Sequence, residues 1–347
     1  MQEFRLPRGH PTLVQTTFVF GSLFVLLFVG PACGDWGRTP PPSSAPPSIP
    51  PHVFFDQSVD TFLGHSGAVR AIAFSPDGQL LASGGDDRTI KLWNMASGHE
   101  IRTLRAAQSG ALAVAFSPSG RQLASSGADK VVRFWDLATG RVIQTFRGHN
   151  APVTSLSFSP DGRWLASGSR DHSIKLWRVD SGTEMRTLTG HAGPVTSVVF
   201  VPDASKLVSG SEDRQVKLWD VGSGRELRTL TEHRGAVWSV AVSPDGLRIA
   251  TASQDKSVRI VDLTTGRIVN VSRLYEKAVL SVAFSPDGQR VGSGGDDGTV
   301  DYSNASDGIL IRILTGHHKR VSCVAFAPNG KVMASGSRDK SIKIWGQ

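Results

Sequence analysis

Ser, His and Asp recur together in this sequence at fixed spacing, and they are the residue set of acyl-transfer hydrolysis. His65, Ser83 and Asp87, with Trp93 following, form the first set. Three more follow: His149, Ser167, Asp171 and Trp177; His191, Ser209, Asp213 and Trp219; His317, Ser335, Asp339 and Trp345. A hydrolase needs one nucleophile activated by one base. Here the set stands four times and recurs in part in the segments between, so it reads as building material, and no catalytic residue is assigned. A shared metal is excluded in the same way: successive copies are 42 residues apart and each His has its own Asp. No metal and no cofactor are expected.

The repeat that carries these sets is strict. Phe74-Ser-Pro-Asp-Gly78 returns as Phe116-Ser-Pro-Ser-Gly120, Phe158-Ser-Pro-Asp-Gly162, Phe200-Val-Pro-Asp203, Val242-Ser-Pro-Asp-Gly246, Phe284-Ser-Pro-Asp-Gly288 and Phe326-Ala-Pro-Asn-Gly330, each 42 residues after the last. A constant period of this size means a solenoid or a propeller. Each unit resolves into four β-rich runs, in the first copy Val69–Phe74, Leu80–Ser83, Thr89–Trp93 and Glu100–Leu104. The gaps are short and hold Pro, Gly and Asp, which permits only antiparallel neighbours. A small meander of this kind has two faces to cover, and stacking equal units in a ring covers both.

Gly64-His65, Asp87 and Trp93-Asn94, with full Trp-Asp pairs at Trp135-Asp136 and Trp219-Asp220, resemble the WD40 repeat, and the resemblance spans roughly residues 57–346. It implies an all-β, seven-bladed propeller of four-stranded antiparallel blades. It also implies a role for each tetrad: Trp donates to Ser, Ser to His and His to Asp, so that every buried polar group is satisfied. The last copy stops after its third strand, at Trp345, and Ser58-Val-Asp-Thr-Phe62 aligns with the fourth-strand run Val142-Ile-Gln-Thr-Phe146. The N-terminal strand should therefore complete the last blade. Some blades depart from the pattern. Ala107 replaces His in blade 2, Val261 replaces Trp in blade 5, and blade 6 has Tyr275 and Ser303. Blades 5 and 6 are expected to be the weakest part of the ring.

Ahead of the repeats, residues 11–34 carry no charge, Arg5 and Arg8 precede them, and Phe18–Val29 is the richest apolar stretch. Residues 1–33 are read as a signal peptide or membrane anchor. Ala32-Cys33 resembles the end of a bacterial lipoprotein signal, which implies lipidation at Cys33. Residues 34–56 are a Pro/Ser-rich linker, and the propeller is placed at 57–347. With two cysteines, Cys33 and Cys323, no disulfide framework exists. Cys323 shares its position with Ala71, Ala113, Ser155, Ser197, Ser239 and Ser281, and reads as a small core residue.

The net charge of +8 lies wholly beyond residue 56, because three basic and three acidic residues cancel before it. Lys91, Arg133, Lys175, Lys217, Arg259 and Lys343 share one third-strand position, and Arg102, Arg186, Arg228 and Arg312 share one fourth-strand position. Charge spread so evenly is expected to form a solvated rim, not a nucleic-acid groove. Positions that differ between copies are free for binding. Those that line the top of the channel in the WD40 family give the candidates Arg70, Leu112, Trp238, Leu280 and Arg320, with Arg170, Glu212 and Arg338 just before the turn Asp. The function expected is a non-catalytic scaffold that binds other proteins through its top face, exported or membrane-attached in a bacterial cell envelope. The alternatives are a hydrolase or other enzyme using the channel mouth, and an intracellular scaffold.

Overall fold

The computed structural model describes residues 54–56 (backbone), 58–106, 110–272 and 275–346. The expected signal or anchor, Cys33, most of the linker and Ala107 lie outside the described residues. All described residues fall in one compact unit, Pro46–Gln347. Among them there is no helix, and 29 strands build seven sheets.

The local chemistry of each turn explains the meander. In blade 1 the Ser75 hydroxyl donates to Asp77 Oδ1 (2.5 Å) and accepts the Leu80 N–H (2.9 Å), while Asp77 Oδ1 also accepts the Gln79 N–H (3.0 Å). Gly78 takes φ 70°, where a Cβ is strained. The Ser-Pro-Asp-Gly motif is thus a closed hydrogen-bonded corner. Blade 4 ends the same corner with Ala204 at φ 58° in place of Gly.

Every blade runs first to fourth strand as an antiparallel ladder; blade 3, for example, is Val153–Phe158, Trp164–Ser169, Ile174–Arg178 and Glu184–Leu188. Second strands are buried on both faces, whereas the fourth strand of blade 3 buries only Leu188. Second strands accordingly use Gly and Ala where backbones approach: a Cβ on Gly168 would lie 2.8 Å from Val195 Cγ1 of the next blade. The hydrophobic clusters straddle neighbours. Leu176 and Leu188 of blade 3 pack with Val195, Leu207 and Trp219 of blade 4. No blade owns a complete core, so each folds only against the next.

The ring closes as the sequence implies. Strand β2 (Asp60–Leu63) pairs antiparallel with Ser341–Gly346, and Phe62 stacks on Trp93 of blade 1 with ring centroids 5.3 Å apart. One element was not foreseen. Strand β1 (Phe54–Asp56) pairs in parallel with Leu310–Leu314 and makes blade 6 five-stranded. The sheet structure therefore begins three residues inside the expected linker. The reason is an open outer edge: a fourth strand presents unpaired N–H and C=O groups that an extended segment can satisfy.

Candidate functional site

Each complete tetrad is a linear hydrogen-bond chain inside its blade. In blade 3 the Trp177 indole N–H donates to Ser167 Oγ (2.8 Å), Ser167 Oγ lies 2.7 Å from His149 Nε2, and His149 Nδ1 lies 2.8 Å from Asp171 Oδ2. Blades 1, 4 and 7 repeat this geometry within 0.1 Å: His65–Ser83–Trp93 with Asp87, His191–Ser209–Trp219 with Asp213, and His317–Ser335–Trp345 with Asp339. Burial lowers the His65 and His149 pKa despite the neighbouring carboxylates. A neutral imidazole with its proton on Nδ1 is the form that lets Ser donate to Nε2 and His donate to Asp. For Asp171 burial acts upward, but hydrogen bonds from Ser173, the Asn150 N–H and His149 outweigh it and hold the carboxyl down at about 2. Ser83, Ser167, Ser209 and Ser335 are each 0% exposed, so these hydroxyls are closed to solvent and engaged inside their blades.

The incomplete blades show what the sequence reading missed. Blade 5 keeps most of the chain with Thr for Ser: His233 Nε2 lies 2.8 Å from Thr251 Oγ1 and Nδ1 lies 2.9 Å from Asp255. Thr251 occupies the period position of the serines, so the periodicity alone could have found it. In blade 2 the carboxylate of Asp129 takes the Arg133 guanidinium instead (2.5 Å), which a third-strand Arg reaches and a Lys pointed at the fourth strand does not.

The rim cations are not solvated as expected. Lys91 and Lys217 are buried and reach fourth-strand carboxylates, Glu100 and Glu226, at 2.8 Å, and Lys175 meets Glu184 at the same distance. Arg102 donates to the carbonyls of Leu137 (2.8 Å) and Ala138 (3.2 Å), and Arg228 to Thr264 (3.1 Å). These arginines staple one blade to the hairpin of the next. Serines of the innermost strands do likewise: Ser155, Ser197, Ser239 and Ser281 each accept the N–H of a residue one blade on, Val198 (2.9 Å), Val240 (3.1 Å), Val282 (3.3 Å) and Val324 (3.0 Å). Cys323, the last of that series, is half-buried, and burial pushes its thiol up to about 12, which makes it a poor nucleophile.

One cavity belongs to the whole ring. The channel mouth on the face of the variable loops encloses about 510 Å³, lined by Arg70, Leu112, Arg170, Glu212, Trp238, Leu280 and Arg320, together with Ala128, Pro152, Thr154, Thr196 and Ser322. Seven of the eight candidate binding residues meet there; Arg338 does not line it. The arginines face acids in salt bridges: Arg70 holds Asp86 through two bonds (2.8 and 2.6 Å), Arg320 meets Asp296 at 2.8 Å, and Arg170 approaches Glu212 at 3.8 Å. Thr154 and Thr196 are committed to the ring, because their hydroxyls donate to the Val195 and Val237 carbonyls (2.5 and 2.6 Å) of the next blade. Trp238 differs: its indole N–H is buried and has no hydrogen-bond partner. A groove between blades 2 and 3 is larger, about 770 Å³, but its equivalent between blades 4 and 5 is about 720 Å³. A groove that recurs at blade junctions follows from ring construction, whereas the mouth is lined by residues of all seven blades. Among the described residues no group of three His, Cys, Asp or Glu side chains is placed to hold a metal ion.

Seven period-locked blades, each with a four-stranded antiparallel meander and the last completed by an N-terminal strand, define a β-propeller of the repeat type. The WD domain, G-beta repeat family matches residues 56–94, 98–136, 140–178, 182–220, 224–262, 269–300 and 308–346, and the chain belongs to that WD40 family. Among curated relatives, Protein Mut11 of Chlamydomonas reinhardtii is 39% identical over 74 residues, which is 21% of this chain and 20% of Mut11. The small ribosomal subunit protein RACK1 of Medicago sativa is 51% identical over 47 residues, 14% of each chain. The ribosome biogenesis protein ERB1 of Yarrowia lipolytica is 45% identical over 49 residues, 14% of this chain and 6% of ERB1. The chain thus spans no more than about a fifth of the length of these relatives.

Proposed function

We propose that this propeller is a non-catalytic scaffold that captures another protein at the channel mouth, with Trp238 and Leu280 as the apolar anchor. WD40 propellers are typically protein-interaction scaffolds, and the curated relatives are similar in that repeat. The observation that carries the reading is the state of Trp238. Side chains repeated in every blade are consumed by tetrads, staples and cores, whereas Trp238 lines an open cavity with a buried donor left unpaired. A buried donor without an acceptor costs about 1–3 kcal/mol, and a partner that supplies a carbonyl or carboxylate recovers it. Aromatic anchors of this kind dominate interface energies. The paired charges around it leave little net field, so the partner is selected by shape and by one acceptor, not by bulk charge.

The same proposal places the ring in a bacterial cell envelope, held by the apolar, lipoprotein-like segment that ends at Cys33 and spaced from the surface by the proline-rich linker. The test has two arms. In a pull-down from the native envelope, Trp238→Ala should lose the captured protein at least tenfold while its melting temperature stays within about 2 °C of wild type. Capture undiminished by W238A overturns the site. The mature mass of the full-length protein, with fractionation, should show cleavage before Cys33 with added lipid. An unprocessed chain in the soluble fraction favours the intracellular scaffold instead.

A further inference from the structure

Blade 6 inverts the electrostatics of its six siblings. At the third-strand position where the others carry Lys91, Arg133, Lys175, Lys217, Arg259 and Lys343, it carries Asp301. The side chain is only 5% exposed. The fourth-strand glutamate that partners the lysines in blades 1, 3 and 4 is also gone, since Leu310 stands in its place. Across the sheet Asp301 faces Ser293 on one side and Ile313 on the other.

The groups around it offer no compensating cation among the described residues. From the entry loop comes Tyr275, whose buried hydroxyl hydrogen-bonds Ser293 and lies against the Asp301 carboxyl. From the turn between the second and third strands comes Asp297. It lacks the histidine that its counterparts in blades 1, 3, 4, 5 and 7 hold, and it accepts the Thr299 N–H (3.0 Å) and hydroxyl (2.7 Å). Nearby cations point elsewhere. Arg290 bonds Asn304, and Arg312 stands opposite Tyr302. From blade 7, Arg320 is taken by Asp296 at 2.8 Å, and the His317 and Lys319 carbonyls lie beside Gly298 of the turn. Arg273, which ends the preceding blade, lies outside the described residues.

We propose that the sixth blade contains a proton-operated latch: Asp301 is held uncharged in the buried space beside Tyr275 and Ser293, next to the charge of Asp297, while the blade is closed, and loss of its proton loosens blade 6 before blades 1 and 3. Asp301 is buried while Asp297 stands exposed at the turn beside it, and a second negative charge in the desolvated position, next to an already charged carboxylate, is costly. Burial, and then the charge of Asp297, push Asp301 up to about 7 against the Tyr275 hydrogen bond, which favours the charged form. A carboxyl raised above its unfolded value gives stability that is complete below about pH 4 and lost as pH rises to about 7. The tetrad blades carry the opposite sign. The lowered His65 and His149, and the lowered Asp87 and Asp171, give stability that is lost as pH falls. Acidification thus tightens blade 6 while it slackens blades 1 and 3. The latch lies at the blade that also receives β1, the strand through which the N-terminal segment joins the ring.

Hydrogen exchange of the full-length protein, expressed as protection relative to intrinsic rates, tests this at pH 5, 6 and 7.5. Amides in residues 290–314 should lose protection by at least tenfold and up to about a hundredfold from pH 5 to 7.5, at no more than tenfold per unit for one proton. Those in residues 80–94 and 164–178 should hold or gain protection. Asp301→Asn, which keeps the shape and removes the charge, should flatten the blade 6 response at its high-protection level. A flat response in wild type, or an unchanged slope in D301N, overturns the proposal. If D301N does not fold, carboxyl carbon resonances of aspartate-labelled wild type decide: a midpoint for Asp301 above 6 supports the latch, and one at or below 6 refutes it.

Discussion

Replacing Ser167 by Ala removes the one atom that satisfies two buried donors and acceptors at once. Its Oγ takes the Trp177 indole N–H at 2.8 Å and serves His149 Nε2 at 2.7 Å, and the residue is 0% exposed, so water cannot substitute without opening the blade. Each orphaned buried group costs about 1–3 kcal/mol, so Ser167→Ala should cost about 2–6 kcal/mol. Blade 2 supplies a control in the same chain. Ser125 accepts the Trp135 N–H at 2.8 Å, but the histidine position is Ala107, so Ser125→Ala orphans one group and should cost about 1–3 kcal/mol. For domains of about 150–250 residues each kcal/mol moves the melting temperature about 2–4 °C, and this larger ring sits at the low end. The expected shifts are therefore about 4–12 °C for S167A and about half that for S125A, read by tryptophan fluorescence in matched thermal scans. Equal shifts would mean that His149 contributes nothing through Ser167, and the hydrogen-bond chain would then be a geometric coincidence. A shift below 1 °C for S167A would refute the burial argument altogether.

Two further perturbations probe the ring itself. Deleting residues 58–63 removes a strand that pairs with Ser341–Gly346 and the Phe62 ring that stacks on Trp93 of blade 1, so the melting temperature should fall by more than 10 °C; a loss of only a few degrees would contradict closure. Ala204→Gly should stabilise, because φ 58° costs an alanine about 1 kcal/mol, and urea unfolding should show a midpoint shifted upward with unchanged slope.

Periodicity made most of the fold legible. A 42-residue repeat with Ser-Pro-Asp-Gly corners dictates strand number, pairing sense and blade count before any contact is known. Closure was legible for the same reason, since Ser58–Phe62 carries the fourth-strand pattern out of place. What periodicity could not show is where a side chain goes once two units meet. Arg102 reads as a rim charge along its own strand, yet its target is a pair of carbonyls in the following blade. Lys91 reads as solvated until Glu100, nine positions on, folds back beside it. β1 was invisible because three residues beside a proline-rich stretch have no period, and only the vacant edge of Leu310–Leu314 gives them a partner.

The copies also separate construction from function in a way that no single blade could. A residue repeated at every period is answerable to the ring, and the structure finds each such class engaged: tetrad serines with tryptophans, inner-strand serines with the next blade's N–H groups, rim cations with acids or carbonyls. Departures then divide by where they fall. At Thr154 and Thr196 the variation is reclaimed by bonds between blades, so variability alone does not mark a binding position. At Trp238 it leaves a donor unanswered among the described residues in a cavity that all blades line, and at Asp301 it leaves an acid where every sibling keeps a cation. Asp301 breaks the rule of its position, whereas Trp238 stands at a position that has no rule and keeps a donor without a partner among the described residues. The uses proposed for them, in what the ring binds and when it loosens, rest on those two departures.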